Sequence, residues 1–258
     1  MIDQISELFD LCDDLTIHSD QVKKNSLFVA YPGYKFDGRN YIDSAIKLGA
    51  KAILYDLKNF EWKKNWKVPH FGINELKEKL PEIAAEFYGN PSKDLKVIGV
   101  TGTNGKTTTV LWISSCLNYL NIKSGFIGTL GYGDHNKIYP TTNTTPDIFT
   151  IQKILREFKN NQTHHIAMEV SSHAIDQGRI DGINFNIKLL TNITRDHLDY
   201  HKNIKSYIQC KTSFMIGESI SHIIINNDDP AGQEVVKKIK DLKNPNFITL
   251  GITNDSDL

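Results

Sequence analysis

The run Gly102-Thr103-Asn104-Gly105-Lys106-Thr107-Thr108 follows an apolar segment, Val97-Ile98-Gly99-Val100-Thr101, and leads into a helical pattern with Val110, Leu111, Ser114 and Leu117 on one face. Glycines let a backbone turn tightly enough for its amide N–H groups to converge on phosphate oxygens, and the following helix offers the positive end of its dipole. In this context Lys106 is placed to meet the outer phosphates of a nucleotide, and Thr107 a magnesium ion. Strict phosphate-loop spacing would put glycine at position 100, which is valine, so the loop is a shorter G-x-x-G-K-T variant. That departure argues against an ordinary switch GTPase or small-molecule kinase. A plain glycine-rich turn after a buried strand is disfavoured by Lys106-Thr107-Thr108 and by both flanks.

Further along, Glu169 stands where Ile166-Ala167-Met168 gives way to Val170-Ser171-Ser172-His173. At the carboxyl end of a parallel strand a carboxylate can hold magnesium, and serine hydroxyls can bond substrate oxygens; an exposed strand-end glutamate is the plainer alternative. The run Asn192-Ile193-Thr194-Arg195-Asp196-His197-Leu198-Asp199-Tyr200-His201 concentrates groups with metal or proton chemistry, although alone it also fits a solvated loop. On their own, His164-His165 read as solvated histidines, and Lys211, in a helix after Asn203, is uninformative, since most helical lysines are surface charges. Thr141-Thr142-Asn143-Thr144-Thr145-Pro146-Asp147 offers short donors before a helix that Pro146 can begin. Those hydroxyls either cap and turn, or form a loop that a large polar ligand can approach.

These residues need a scaffold, and the pattern of runs supplies one. Val97 to Val100, Gly125 to Leu130, Ile166 to Val170, Lys188 to Ile193, His222 to Asn226 and Phe247 to Gly251 read as strands. Helical patterns after Lys106 and from Asp147 to Phe158 alternate with them, which predicts a mostly parallel α/β sheet like that of phosphate-loop NTPases. Upstream, Ser26 to Ala30 and Ala52 to Tyr55 are short β-prone runs flanking a helix from about Tyr41 to Leu48, which Gly49 ends. The stretch Lys58-Asn59-Phe60-Glu61-Trp62-Lys63-Lys64-Asn65-Trp66-Lys67 reads as a solvated surface excursion. A helix from about Asn74 to Tyr88 stops at Gly89-Asn90-Pro91-Ser92, and this cluster predicts a small α/β domain over 1–92 and a larger one over 93–258.

With 258 residues the chain is long enough to bury a core without staples, and Lys+Arg 30 balance Asp+Glu 30. That balance, with no polybasic run, argues against nucleic acid or a membrane surface as partner. Cys12, Cys116 and Cys210 form no C-x-x-C and leave an odd count, as expected of a reducing cytosol. The start Met1-Ile2-Asp3-Gln4-Ile5-Ser6-Glu7 is acidic where a secretory signal would be basic, and no long apolar run follows, so the expected location is cytoplasmic.

Taken together, Thr101 to Thr108, Asn143-Thr144-Thr145, Glu169-Val170-Ser171-Ser172-His173, Asp196-His197-Leu198-Asp199-Tyr200-His201 and Lys211 resemble the Mur ligase family. Within it the match is to the branch that extends UDP-N-acetylmuramoyl-L-alanyl-D-glutamate, with support from Leu27-Phe28-Val29-Ala30, Asp37-Gly38-Arg39 and Gly49-Ala50. The resemblance implies that Gly102, Thr103, Asn104, Gly105, Lys106, Thr107 and Thr108 hold ATP. It implies magnesium sites served by Thr107, Glu169, His197 and Lys211, the lysine as a carbamate formed with carbon dioxide, and a catalytic set of Lys106, Glu169, His197 and Lys211. Asn143, Thr144, Thr145, Ser171, Gln177 and Arg179 match binders of the muramoyl-dipeptide, and Ile17 with Ser19 match positions near its uridine. The implied protein is a monomeric ATP-dependent amide-bond ligase whose domain over 1–92 binds the UDP-substrate.

Three departures qualify that expectation. Where the family usually has Asp-Ser-Arg near the uridine, this chain has His18-Ser19-Asp20, and Tyr34-Lys35-Phe36 replaces a variable loop. Family members continue into a third domain that carries amino-acid recognition, whereas this chain stops at Leu258. The chain alone is therefore expected to be inactive, with the amine left open between diaminopimelate, lysine and others. A non-catalytic nucleotide-binding fragment, or a related ligase acting on folate or another amino acid, are the competing readings.

Overall fold

A computed structural model describes residues 2–33, 36–217, 220–239, 246–254 and 256–258, so the features noted at Met1 and Tyr34-Lys35 lie outside the described residues. The chain divides into two units, Met1–Gly89 and Asn90–Leu258. The sequence placed the boundary after Ser92, but the turn Pro91–Lys93 is tied to the second unit, because Ser92 Oγ accepts from the Asn184 amide at 3.1 Å.

The first unit runs α1 (Ile2–Asp10), β1 (Asp14–Thr16), β2 (Ser26–Ala30), α2 (Ile42–Lys47), β3 (Ala52–Asp56), β4 (His70–Ile73) and α3 (Leu76–Phe87). Its strands pair in parallel in the order β1-β2-β3-β4. Both β2 and β3 are buried along their whole length, as strands covered on both faces must be, which explains their unbroken apolar runs. Gly49 ends α2 at φ +103, a conformation open to glycine at little cost.

The segment from Lys58 to Lys67 is not the solvated excursion its lysines suggested. Trp66 is only 7% exposed and joins Phe28, Ile53 and Tyr55 in the core, with Phe60 and Trp62 packed against them. Trp62 stacks on His70 at 3.8 Å and meets Trp66 edge-on at 4.9 Å. The lysines stay at the surface while the rings cover the sheet, and the Lys63 ammonium sits 4.9 Å over the Trp66 ring.

The second unit contains β5 (Lys96–Thr101), α4 (Lys106–Tyr119), β6 (Ser124–Gly128), β7 (Gly131–Gly133), β8 (Ile138–Tyr139), α5 (Ile148–Asn160) and β9 (His165–Glu169). It continues with α6 (Ser172–Asp176), β10 (Phe185–Leu190), α7 (Leu198–His201), α8 (Ile204–Met215), β11 (His222–Asn226), α9 (Pro230–Ile239) and β12 (Asn246–Leu250). Among the described residues the sheet order is β12-β11-β10-β5-β9-β6-β7-β8, parallel from β12 to β6 and antiparallel at the β6-β7-β8 edge. The expected strand from Gly125 to Leu130 thus ends at Gly128, and the chain turns back through Gly131 at φ +118. A Cβ on Gly131 would stand 2.1 Å from the Tyr139 carbonyl oxygen, so only glycine fits this return.

Two smaller expectations also change. Helix α5 starts after Asp147, whose carboxylate accepts from the Phe149 and Thr150 amides, so Pro146 precedes the cap rather than opening the helix. His165 is the first residue of β9 and half-buried, with Nδ1 lacking a hydrogen-bond partner, so it is not a solvated loop histidine.

Strand β5 is central to the site. Its neighbours β9 and β10 lie on opposite sides of it and both come later in the chain, so the carboxyl ends of β5, β9 and β10 form a switch point of the sheet. Crevices at such points are where open α/β sheets bind ligands.

Candidate functional site

At that switch point the phosphate loop is held by the segment leaving β10. The Thr103 amide donates to the Asn192 carbonyl at 2.8 Å, and the Asn104 amide to Asn192 Oδ1 at 3.0 Å. Thr191 Oγ1 donates to the Asn104 carbonyl at 2.7 Å, and the Thr194 amide to Thr103 Oγ1 at 2.9 Å. Gly102 adopts φ +151, and a Cβ there would stand 1.9 Å from Thr191 Oγ1; Gly105 precedes α4 at φ +84. Both glycines are thus required by conformation, and the first also by contact. The four residues of α4 read from the sequence as one face pack on the sheet, with Val110 and Ser114 buried and Leu111 and Leu117 against the core.

Lys106 opens α4, and its Nζ donates to the carbonyls of Gly102 and Thr103, both at 2.9 Å. Burial, the larger effect, lowers its pKa against the raising influence of Glu169 and Asp196. Lys211, on α8, reaches the same carbonyl: its Nζ donates to Gly102 O at 3.0 Å and to Thr101 Oγ1 at 3.3 Å, and stands 4.7 Å over the Tyr207 ring. It is 1% exposed, unlike most helical lysines. Burial, reinforced by the charge of Lys106, pushes its pKa down to about 7.

Glu169, at the end of β9, is also 1% exposed rather than a solvated strand end. One oxygen accepts from the Thr129 amide at 2.8 Å, the other from Thr129 Oγ1 at 3.2 Å. A carboxylate offers about four lone-pair sites, so acceptor capacity is left for a cation. A Cβ at Gly128 would fall 2.2 Å from this carboxylate, which explains the glycine beside it.

The threonine-rich loop divides in function. Thr145 is buried, donates from Oγ1 to the Glu169 carbonyl at 2.9 Å and accepts from the Ser171 amide at 3.0 Å, so it braces the strand end. Asn143 is exposed, and Thr144 Oγ1 lies 3.1 Å from Thr129 Oγ1. Ser171 caps α6 by accepting from the Ala174 amide. Arg179 donates to the Thr145 carbonyl at 3.0 Å and twice to Gln177 Oε1. Gln177 in turn donates to Tyr200 Oη, which donates to Asp176 at 2.6 Å. Residues far apart in sequence are therefore linked along one rim.

His197 caps α7 in the left-handed conformation at φ 52, with Nε2 3.5 Å from Asp196 Oδ2. Its ring lies 4.9 Å edge-on from His173, and His173 is 5.9 Å from His201. Burial and then the mutual repulsion of these rings lower the pKa of His173; for His201 burial is the main cause. Among the described residues no group of three or more His, Cys, Asp or Glu side chains is arranged to hold a metal.

Thr129, Thr191 and Tyr207 build this site but were not singled out from the sequence, and Asn192 entered only as the first residue of the run to His201. Tyr207 lies within 3.2 Å of Thr103 Oγ1. The available signal was positional: Thr191 and Asn192 follow the end of the strand flanking the phosphate loop.

In the first unit, Ile17 and Ser19 line a cleft of about 520 Å³ together with His18, Asp20, Tyr31 and Phe36. Tyr31, Phe36 and Tyr41 bring aromatic rings to its lining, and the buried Val29 an apolar side chain. Cys12, Cys116 and Cys210 are free thiols, and burial raises Cys12 and Cys210 to about 11, which disfavours the thiolate at both. Among the described residues no helix is long and apolar enough to cross a membrane.

Comparison with known proteins gives this geometry its context. Residues 13–88 match the model of the Mur ligase family, catalytic domain, and residues 100–258 that of the Mur ligase middle domain. The UDP-N-acetylmuramoyl-L-alanyl-D-glutamate–2,6-diaminopimelate ligase of Chromobacterium violaceum is 39% identical over 91% of this chain and 48% of its own length. The enzyme of that name from Neisseria meningitidis is 41% identical over 87% of this chain and 46% of its own length. A solved structure of a ligase of this name superposes with a TM-score of 0.77 at 25% identity, covering 95% of this chain and 49% of that one. A MurF ligase from Thermotoga maritima, solved with ADP, shares the fold with a TM-score of 0.64 at 21% identity, covering 96% of this chain and 52% of that one. The chain spans about half the length of the curated relatives it matches. Because family models cover both units, and a phosphate loop clasped at the switch point lies within the second, the chain belongs to the Mur ligase family.

Proposed function

We propose that this chain carries the ATP-binding and UDP-substrate-binding parts of a ligase of peptidoglycan-precursor synthesis, which joins an amino acid to UDP-N-acetylmuramoyl-L-alanyl-D-glutamate through an acyl phosphate. The observation that carries the reading is the convergence of Lys106 and Lys211 on the Gly102 carbonyl at the switch point. A carboxylate is anionic and its oxygen leaves poorly, so an amine cannot displace it until ATP has phosphorylated it. Catalysis of that transfer consists mostly of positioning and charge neutralisation. Lys106, held at the mouth of the loop, would exchange its two carbonyl partners for the outer phosphate oxygens. Thr107 and Glu169 would supply oxygen donors of the kind magnesium prefers, an ion that commonly needs few protein ligands. When bound, magnesium would neutralise phosphate charge; His197 would complete the set.

Lys211 suits carbamate formation. With a pKa of about 7, a large fraction is neutral amine near neutral pH. That nitrogen attacks carbon dioxide, an N–C bond forms, a proton leaves to solvent, and the side chain becomes an anion able to face a cation. Asn143, Thr144, Ser171, Gln177 and Arg179 would receive the muramoyl-dipeptide, with Thr145 shaping their loop. The cleft at Ile17 and Ser19 would take the uridine end, its aromatic side chains suited to a base. The relatives' names make 2,6-diaminopimelate the first amine to test, and free cysteines are consistent with a cytoplasmic location.

The test is binding followed by turnover. Calorimetry should show ATP and UDP-muramoyl-dipeptide binding, with folate inert. Joined to the remaining half of a relative, the chain should release ADP and form ligated product by mass spectrometry when 2,6-diaminopimelate is supplied. Absence of nucleotide binding would overturn the reading, and preference for folate would replace it with that of a folate ligase.

A further inference from the structure

Lys188 is a second buried lysine, on β10, and the proposed mechanism does not use it. It is 7% exposed and lies at the wall of a cavity of about 360 Å³ formed by Ile180, Phe185, Phe214 and Ile216 among others. Its Nζ donates to the Phe214 carbonyl and, at 3.0 Å, to the Ile216 carbonyl, which are the last turn and the cap of α8. Helix carbonyls at that end have no partner within the helix, and α8 has no basic residue of its own in its last turn. The Asn203 side chain closes the other end by accepting from the Ser206 amide at 2.9 Å.

The surroundings fit this contact. Gly217 takes φ +153, and a Cβ there would lie 3.2 Å from the Lys188 ammonium, so glycine leaves the approach open. Lys188 pairs in register with Gly99 of β5, where a Cβ would fall 2.6 Å from the Phe214 ring and 2.7 Å from Phe185. The same two rings flank the ammonium, at 4.6 Å for Phe214 and 5.8 Å for Phe185. The strand that enters the phosphate loop, the C-terminal end of α8 and Lys188 thus form one packed unit.

We propose that Lys188 is a positioning residue: by tying the C-terminal end of α8 to β10, it sets the depth at which Lys211 on that helix reaches the Gly102 carbonyl and steadies the phosphate loop. The functional weight of this role rests on the reading of Lys211 given above, but the structural coupling does not.

Amide hydrogen exchange of the full chain without nucleotide tests it, comparing wild type with Lys188→Met, Lys188→Arg and Gly217→Ala. In Lys188→Met exchange should rise about tenfold, the scale of one or two lost buried hydrogen bonds, both over 207–216 and at the Thr103 and Asn104 amides, while α5 is unchanged. Lys188→Arg should restore most of that protection, and Gly217→Ala, which crowds the ammonium, should move the same amides to a smaller extent. A rise confined to 213–217, with the phosphate loop at wild-type protection, would show a merely local cap and overturn the proposal. If Lys188→Met does not fold, Gly217→Ala decides by the same criterion. A separate ADP titration of the wild type tests the nucleotide reading, so failure of either idea is recognised independently.

Discussion

Replacing Lys211 by methionine removes a charge that the folded chain holds at a cost, and the cost has a pH signature. Unfolded, a lysine keeps its proton to its ordinary pKa of 10.5; folded, burial and the neighbouring Lys106 bring that value down to about 7. Between these values the unfolded chain binds more protons than the folded one, so stability is lost as pH falls from 10.5 toward 7 and regained as it rises. Lys188 acts in the same sense over a narrower range, from 10.5 to about 8, through burial alone. At about 1.4 kcal/mol per tenfold, the rise between about pH 7 and about pH 9.5 is roughly 3 kcal/mol from Lys211 and about 2 kcal/mol from Lys188. Buried thiols and tyrosines with raised pKa values oppose the trend toward the alkaline end, but they are common to both proteins and cancel in the difference. The assay is urea unfolding followed by circular dichroism in carbon-dioxide-depleted buffers at both pH values, for wild type and Lys211→Met. The variant should lose about 3 kcal/mol of the alkaline gain. Equal pH dependence in the two proteins would mean that Lys211 is solvated and ordinary, and the account of it as a carbamate-forming amine would fall with that result.

Lys106→Ala should weaken ATP binding by roughly 2 to 5 kcal/mol, since phosphate oxygens lose a partially desolvated cation, and calorimetry showing unchanged affinity would remove Lys106 from the nucleotide site. Gly102→Ala places a methyl group 1.9 Å from Thr191 Oγ1 at φ +151. The backbone alone should cost roughly 1 to 3 kcal/mol, and a variant as stable as wild type would contradict the loop geometry. Trp66→Ala, in a stretch that looks solvated in sequence, should cost roughly 3 to 5 kcal/mol in urea unfolding; a near-neutral result would return that segment to the surface.

Features with a local cause were legible from the residues alone. A phosphate loop is a short-range conformational requirement, so Gly102, Gly105 and Lys106 are legible from spacing alone, and the alternation of buried strands with amphipathic helices announces a parallel sheet. Gly49 ending α2 and Asn203 opening α8 belong to the same class, because a cap is chosen by its nearest neighbours. What residue type and spacing left open or misread shares one cause: amphipathic side chains whose fate depends on distant partners. Lys211 looks like any helical surface lysine until β5 and α8 bring it to the Gly102 carbonyl, 109 residues away in the chain. Trp62 and Trp66 sit among lysines, and only the tertiary fold turns their rings inward onto β3 while the ammonium groups stay in water. Thr129, Thr191 and Asn192 are ordinary turn residues by type, and they become site residues because strand order sets their loops beside Glu169 and the phosphate loop. Strand order is decided by long-range pairing rather than by local propensity, and the buried lysines and their depressed pKa values follow from it.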